Sequence, residues 1–147
     1  MTAPEATCDE GRPLAAQLLV HPATDFVGDH PSRTENATGY VLGTQDVLDL
    51  QHLYAGDDPA VRGSLRVSPL RAERSTDLAP AVIGTAPYDS LRDEGHAYAG
   101  ALTDADVDVF ARIYDGLIHT FRNLFPVSPA DDAAVAELYA QLEDRLG

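Results

Sequence analysis

The sequence predicts an α/β fold built on about three parallel strands, and three stretches predict it. Residues 81–86 (AVIGTA) form a nearly continuous apolar run, as a strand buried on both faces requires. Val107, Val109, Ala111 and Ile113 then alternate with Asp108, Phe110, Arg112 and Tyr114, the period of a second strand. Between them, Ser90 to about Thr103 reads as a helix. A strand, a helix and a strand in that order imply a right-handed crossover and parallel pairing.

The other elements follow in chain order. Residues 15–20 (AAQLLV) are a first candidate strand, stopped by His21-Pro22 because proline cannot donate to a ladder. Residues 23–43, rich in Asp, Gly, Pro, Ser, Thr and Asn, read as an irregular excursion. Thr44 is a candidate cap for a helix to about Ala55, with Asp46 in its first turn and Val47, Leu50 and Tyr54 on one face. Gly56-Asp57-Asp58-Pro59 ends it, and residues 57–79 read as loop with a short helical turn. A short helix precedes the last one, which is the clearest of all. Ser128 is its N-cap, Pro129 its first residue, and Asp131 and Asp132 suit the positive end of its dipole. Val135, Leu138, Tyr139, Leu142 and Leu146 form its apolar stripe.

At 147 residues the chain reads as one domain, long enough to bury ~68–70% of the surface its unfolded form exposes. No apolar run is long enough to span a bilayer. The start, MTAPEATCDEG, has neither the basic end nor the apolar centre of a secretion signal, so a cytoplasmic location is the expectation. Cys8 has no second cysteine to pair with, and its polar surroundings argue against a nucleophilic role. The chain carries 24 acidic residues against 10 basic ones, every one of them arginine, for a formal charge of −14. That charge repels phosphate backbones and argues against a nucleic-acid partner. The crowding of Asp and Ala, with Arg in place of Lys, fits a GC-rich coding bias, an adaptation to high salt, or both, since salt screens the self-repulsion of a compact acidic chain.

Asp89 and His119 fall just past the ends of the two later strands. Parallel strands put both at the carboxyl edge, where open α/β sheets hold their sites. On spacing alone, capping of the next helix is the favoured reading of Asp89. The two roles are compatible, because amide dipoles at a helix start keep a carboxylate ionised. An ionised aspartate that orients a histidine is two thirds of a nucleophile–base–acid triad.

The wording around these residues resembles the C-terminal part of hormone-sensitive-lipase-like α/β-hydrolases. YDSLRDEG at 88–95 is similar to a YDPLRDEG segment that carries the triad acid, and GLIHTF at 116–121 to a GMIHGF segment that carries the base. LLVHP at 18–22 resembles a strand ending in LIYP, and PSRTENATGYVL at 31–42 resembles a PSxxEN segment. SPLRAE at 68–73 and DLAPAVIGTA at 77–86 also correspond, as does the closing helix. The resemblance implies serine-dependent hydrolysis of carboxylic esters of short to medium acyl chains, with Asp89 orienting His119 and His119 acting as base, then acid. It also implies that residues 23–56 add to a cap over the acyl pocket, within a single partial hydrolase domain spanning 1–147. Tyr40, Val41 and Leu42 are candidate apolar contributors there, or packing residues. Ser90 stands in place of a proline, Thr120 of a glycine and His21 of a tyrosine.

The nucleophile is the serious departure. It belongs on a G-x-S-x-G elbow, and none of the serines here has glycines at both −2 and +2. An HGG-type oxyanion segment is also missing. Residues 6–14 look like the tail of the helix after the elbow, so the expectation is a chain that begins just past the nucleophile. It would supply only acid and base and be inactive alone, with an uncovered strand edge prone to self-association. The alternative is a non-catalytic interaction module that docks through that edge. No cofactor or metal site is expected: the pairs Asp57-Asp58 and Asp131-Asp132 and the run Asp104, Asp106, Asp108 fit no EF-hand loop and read as solvated charge.

Overall fold

The computed structural model describes residues 13–73, 78–124 and 128–147. Three parallel strands, β1 (Gln17–Val20), β2 (Ala81–Thr85) and β3 (Val109–Ile113), make one sheet in the order β1-β2-β3. The register pairs Gly84 with both Val20 and Arg112, so the three strands end level at the carboxyl edge. The helices are α1 (Pro31–Glu35), α2 (Thr44–Ala55), α3 (Pro59–Arg62), α4 (Arg92–Asp104), α5 (Phe121–Leu124) and α6 (Pro129–Leu146), with a 3₁₀ turn at Pro69–Arg71.

The central strand is buried along its whole length, as its apolar run predicts. Its side chains alternate between two cores. Ala81 and Ile83 pack with Tyr98, Ala99 and Leu102 of α4. Val82 packs on the other face with Phe121 and with Ala134, Val135 and Leu138 of α6. Gly84 lets α6 come close, since a Cβ there would meet Leu138 Cδ1 at 2.9 Å.

The edge strands differ from the sequence reading. β3 is shorter than the alternation over 107–114, and Ala111 and Ile113 are exposed, while Phe110 packs toward α6 and Val109 toward α4. A period of two marks a strand but cannot say that its neighbour on one side is solvent. Among the described residues β1 pairs with β2 alone.

The excursion is more ordered than its composition suggests. It holds α1, too short for a helical period to show, with Pro31 at its start. Arg33 is buried there; its guanidinium donates to Glu94 Oε2 of α4 at 2.6 Å and to the Asp25 carbonyl at 2.7 Å. The amide of Thr24 adds a bond to Glu94 Oε1 at 2.7 Å. These bonds fasten the excursion to the helix behind the sheet.

Thr44 is not the cap of α2. Gly43 is, and its amide donates to Asp46 Oδ2 at 2.8 Å, while the Thr44 hydroxyl donates to the Arg33 carbonyl. The buried face of α2 carries Val47 and Gln51; Leu50 and Tyr54 are exposed. Ser128 does cap α6, accepting from the Asp131 amide at 3.5 Å. Asp131 itself is buried, unlike the solvated residue its sequence context suggests. In the α6 stripe Val135 and Leu138 are buried, whereas Tyr139 and Leu146 are exposed. Cys8 and Ser75 lie outside the described residues. No described helix is long and apolar enough to cross a membrane.

Candidate active site

Asp89 leaves β2 four residues beyond Thr85 and is fully buried. α4 begins at Arg92 with Leu91 as its N-cap, so Asp89 is not the cap residue. Its carboxylate nevertheless serves the helix start: Oδ1 accepts from the Leu91 amide at 2.8 Å. Oδ2 is left for His119, whose Nδ1 lies 2.9 Å away.

His119 arrives by a different route. The chain leaves β3 at Tyr114 and turns at Asp115-Gly116, where Gly116 takes a φ of +77° that glycine adopts freely. Ile118 then bridges to Tyr88, and the His119 amide meets the Tyr88 carbonyl at 3.4 Å. The peptide before Asp89 thus holds the peptide before His119, and the two side chains converge across 30 residues of sequence. Thr120, next in line, takes a φ of +73°. A β-branched residue is strained there, as expected where the resemblance has glycine.

Burial pushes the Asp89 carboxyl up. The hydrogen bond to His119, the nearby His21 ring and the Leu91 amide outweigh it and bring the pKa down to about 2. The group is therefore a fixed anion at neutral pH, suited to orienting an imidazole and to stabilising an imidazolium.

Three residues that sequence reasoning did not assign to the site belong beside it. Asn36, from the PSRTEN stretch, donates through Nδ2 to the carbonyls of Pro87 and Asp89, both at 3.1 Å. Ser90, in place of a proline, is buried and its hydroxyl reaches the carbonyls of Asn36 at 2.9 Å and Leu42 at 3.1 Å. The third residue is His21. It takes a φ of +52°, and its Nδ1 comes within 3.4 Å of Asp89 Oδ2 without hydrogen-bond alignment. Its ring lies 4.7 Å from that of His119 and edge-on to Phe121 at 4.4 Å. Burial lowers its pKa, against the pull of the Asp89 carboxylate and together with the neighbouring His119. The signal available for His21 was only its position at a strand end beside a proline.

The three apolar candidates separate. Leu42 turns inward and packs with Val47 and Leu91. Tyr40 is exposed and stacks on Tyr88 with ring centroids 5.0 Å apart, which puts it one residue from Asp89. Val41 is exposed.

Open parallel sheets that carry a site at the carboxyl edge define a class of α/β proteins, and a buried, ionised aspartate behind a histidine at that edge can orient an imidazole. Within that class the chain belongs to the α/β-hydrolase family, whose model, described as alpha/beta hydrolase fold, matches residues 2–123. It is 37% identical over 138 residues to the carboxylic ester hydrolase LipN of Mycobacterium tuberculosis, covering 93% of this chain and 37% of that protein. It is 32% identical to an ethyl acetate hydrolase of Pseudomonas putida, covering 92% of this chain and 43% of the relative. Among solved structures, it superposes on a thermostable esterase from Pseudomonas putida ECU1011 with a TM-score of 0.87 at 35% identity, over 97% of this chain and 46% of that one. The chain thus spans less than half the length of these relatives.

Proposed function

We propose that this chain supplies the acid and base of a carboxylic ester hydrolase. The observation that carries the reading is the 2.9 Å contact between His119 Nδ1 and a fully buried Asp89 carboxylate. In a neutral imidazole the Nδ1 proton is then donated to Asp89, which leaves Nε2 free to take a proton from a nucleophile. His119 returns that proton to the leaving alcohol, and Asp89 stays ionised while the imidazolium lasts. None of the serines here sits on a glycine-flanked elbow, so the nucleophile and the oxyanion amides come from a segment outside these 147 residues. The chain alone does not turn over. Residues 23–56 act as part of a cap over the acyl group, with Tyr40 and Val41 facing it and Leu42 holding the segment down.

The test is hydrolysis of a short-chain p-nitrophenyl ester by the chain with and without the N-terminal half of a related esterase. Activity in the mixture only, abolished by His119→Ala, is the expected result. A mixture that associates yet stays inactive overturns the reading. It would favour an interaction module instead, for which the one-sided pairing of β1 among the described residues is the supporting feature. Self-association of the chain through β1 is the corresponding expectation in the absence of a partner, read by analytical ultracentrifugation.

A further inference from the structure

His21, Asp89 and His119 form a cluster that the acid–base pair does not account for. One donor atom from each lies within 4.8 Å of the other two. The two ring nitrogens facing the carboxylate are 2.9 Å (His119) and 3.4 Å (His21) from the same oxygen, Asp89 Oδ2. Donors around a tetrahedral zinc ion, each ~2.0–2.2 Å from the metal, sit about 3.4 Å apart. Small rotations of two imidazoles therefore bring the cluster into a first coordination sphere.

The independent observation is His21 itself. Its side chain is only 7% exposed, and neither ring nitrogen finds a hydrogen-bond partner among the described residues. A buried imidazole with both nitrogens unsatisfied is costly, and this one is aimed at a carboxylate that already has a partner. Two imidazoles and a carboxylate are the donor set that later first-row divalent ions favour.

We propose that His21, Asp89 and His119 bind a single zinc-class divalent cation, with solvent completing its coordination. Coordination at Nδ1 of His119 takes the place of the bond to Asp89. The ring proton then resides on Nε2, so no proton is lost from the neutral ring. That nitrogen now donates and cannot accept a proton from a nucleophile. Binding of the cation and operation as a base are mutually exclusive. This last consequence rests on the ester-hydrolase reading; the binding itself does not.

The experiment needs no turnover. Zinc chloride is titrated calorimetrically into the tag-free, metal-stripped 147-residue chain carrying Cys8→Ser, which removes the thiol as a competing ligand. One ion per chain is expected, with affinity falling about tenfold or more in His21→Phe, which removes one of three protein ligands. Nitrogen-15 spectra of the histidine rings give a second readout on the unaltered chain, whose dispersed amide signals report that it is folded. Zinc should shift His21 and His119 together and move the His119 proton to Nε2. Absence of binding, equal binding by His21→Phe, or shifts confined to exposed His52 overturns the proposal. In the complemented mixture described above, zinc inhibition relieved by chelator is expected. Activity insensitive to zinc at concentrations that saturate the site would overturn the exclusion argument alone.

Discussion

The side-chain amide of Asn36 donates to the backbone carbonyl of Asp89 at 3.1 Å, across 53 residues of sequence. The same nitrogen also reaches the Pro87 carbonyl, so one side chain from the excursion holds the backbone on both sides of Tyr88. Tyr88 in turn bridges to Ile118 beside His119. The excursion is thereby coupled to the position of the carboxylate. Arg92 also donates to both carbonyls, through Nη1 to Pro87 and through its backbone amide to Asp89, each at 3.2 Å. Removing the Asn36 amide therefore loses two ordinary hydrogen bonds, at about 0.5–1.5 kcal/mol each. Asn36→Ala should lower stability to urea by about 2 kcal/mol. In a complemented enzyme it should depress kcat more than it raises KM, because the acid–base pair is displaced rather than the substrate. Unchanged urea stability would show that water replaces the amide.

Acid should unfold this chain through Asp89 and His21 in the same direction. The folded pKa of Asp89, about 2, lies below its ordinary value of 3.8. Its contribution is therefore fully present above the ordinary value and is lost as pH falls from there toward the folded value, about 2 kcal/mol in all. His21 is also depressed, below its ordinary 6.5, because it is buried. Stability from its neutral form is present above 6.5 and declines as pH falls below that. Urea midpoints at pH 7, 5 and 3 should fall steadily, with the steepest loss at the lowest values. Asp89→Asn should be less stable at pH 7 and flatter at the acidic end. A parallel curve would place the acid sensitivity elsewhere.

Thr120 marks a different kind of cost. A φ of +73° on a β-branched residue is strained by roughly 1–3 kcal/mol. Glycine relieves that strain but adds entropy to the unfolded chain, about 0.4–1 kcal/mol. Thr120→Gly should therefore stabilise, by about 1 kcal/mol, where the same change in an ordinary loop would destabilise. Thermal unfolding decides it. A lower melting temperature would mean that the threonine side chain makes a contact worth more than the strain.

These positions show what a sequence discloses and what it does not. The buried strand and the capped last helix were legible because their determinants are local: an unbroken apolar run, and Ser-Pro followed by two acids. Asp89 and His119 were legible as strand-end residues, and the resemblance assigned their roles. The burial of Arg33, the double contact of Asn36 and the approach of His21 were not legible. Each depends on a partner 50 or more residues away, on Glu94, Pro87 and Asp89 respectively, and no local period encodes such a partner. The faces of α2 and β3 failed for a related reason. Apolar spacing says that a face exists, but which residues it buries is settled by what packs there.

Gly84 offers the sharpest test of the packing that holds the site edge level. It lies in β2 between Val20 and Arg112 in register, directly under α6. A methyl group added there would meet Leu138 Cδ1 at 2.9 Å and Cδ2 at 3.1 Å, with the Tyr114 ring at 3.4 Å. Leu138 is 2% exposed and enclosed by the core, so its side chain has little room to turn away. Overpacking of this kind costs about 1–3 kcal/mol, against the fraction of a kilocalorie that alanine gains over glycine in a strand. Gly84→Ala should lower the urea midpoint accordingly. Gly84→Ala combined with Leu138→Ala should be less harmful than the sum of the two single changes, because the new methyl partly fills the space that leucine leaves. Strict additivity in that double-mutant cycle would mean that the methyl and Leu138 do not meet, and that α6 stands further from the sheet than the close approach at Gly84 requires.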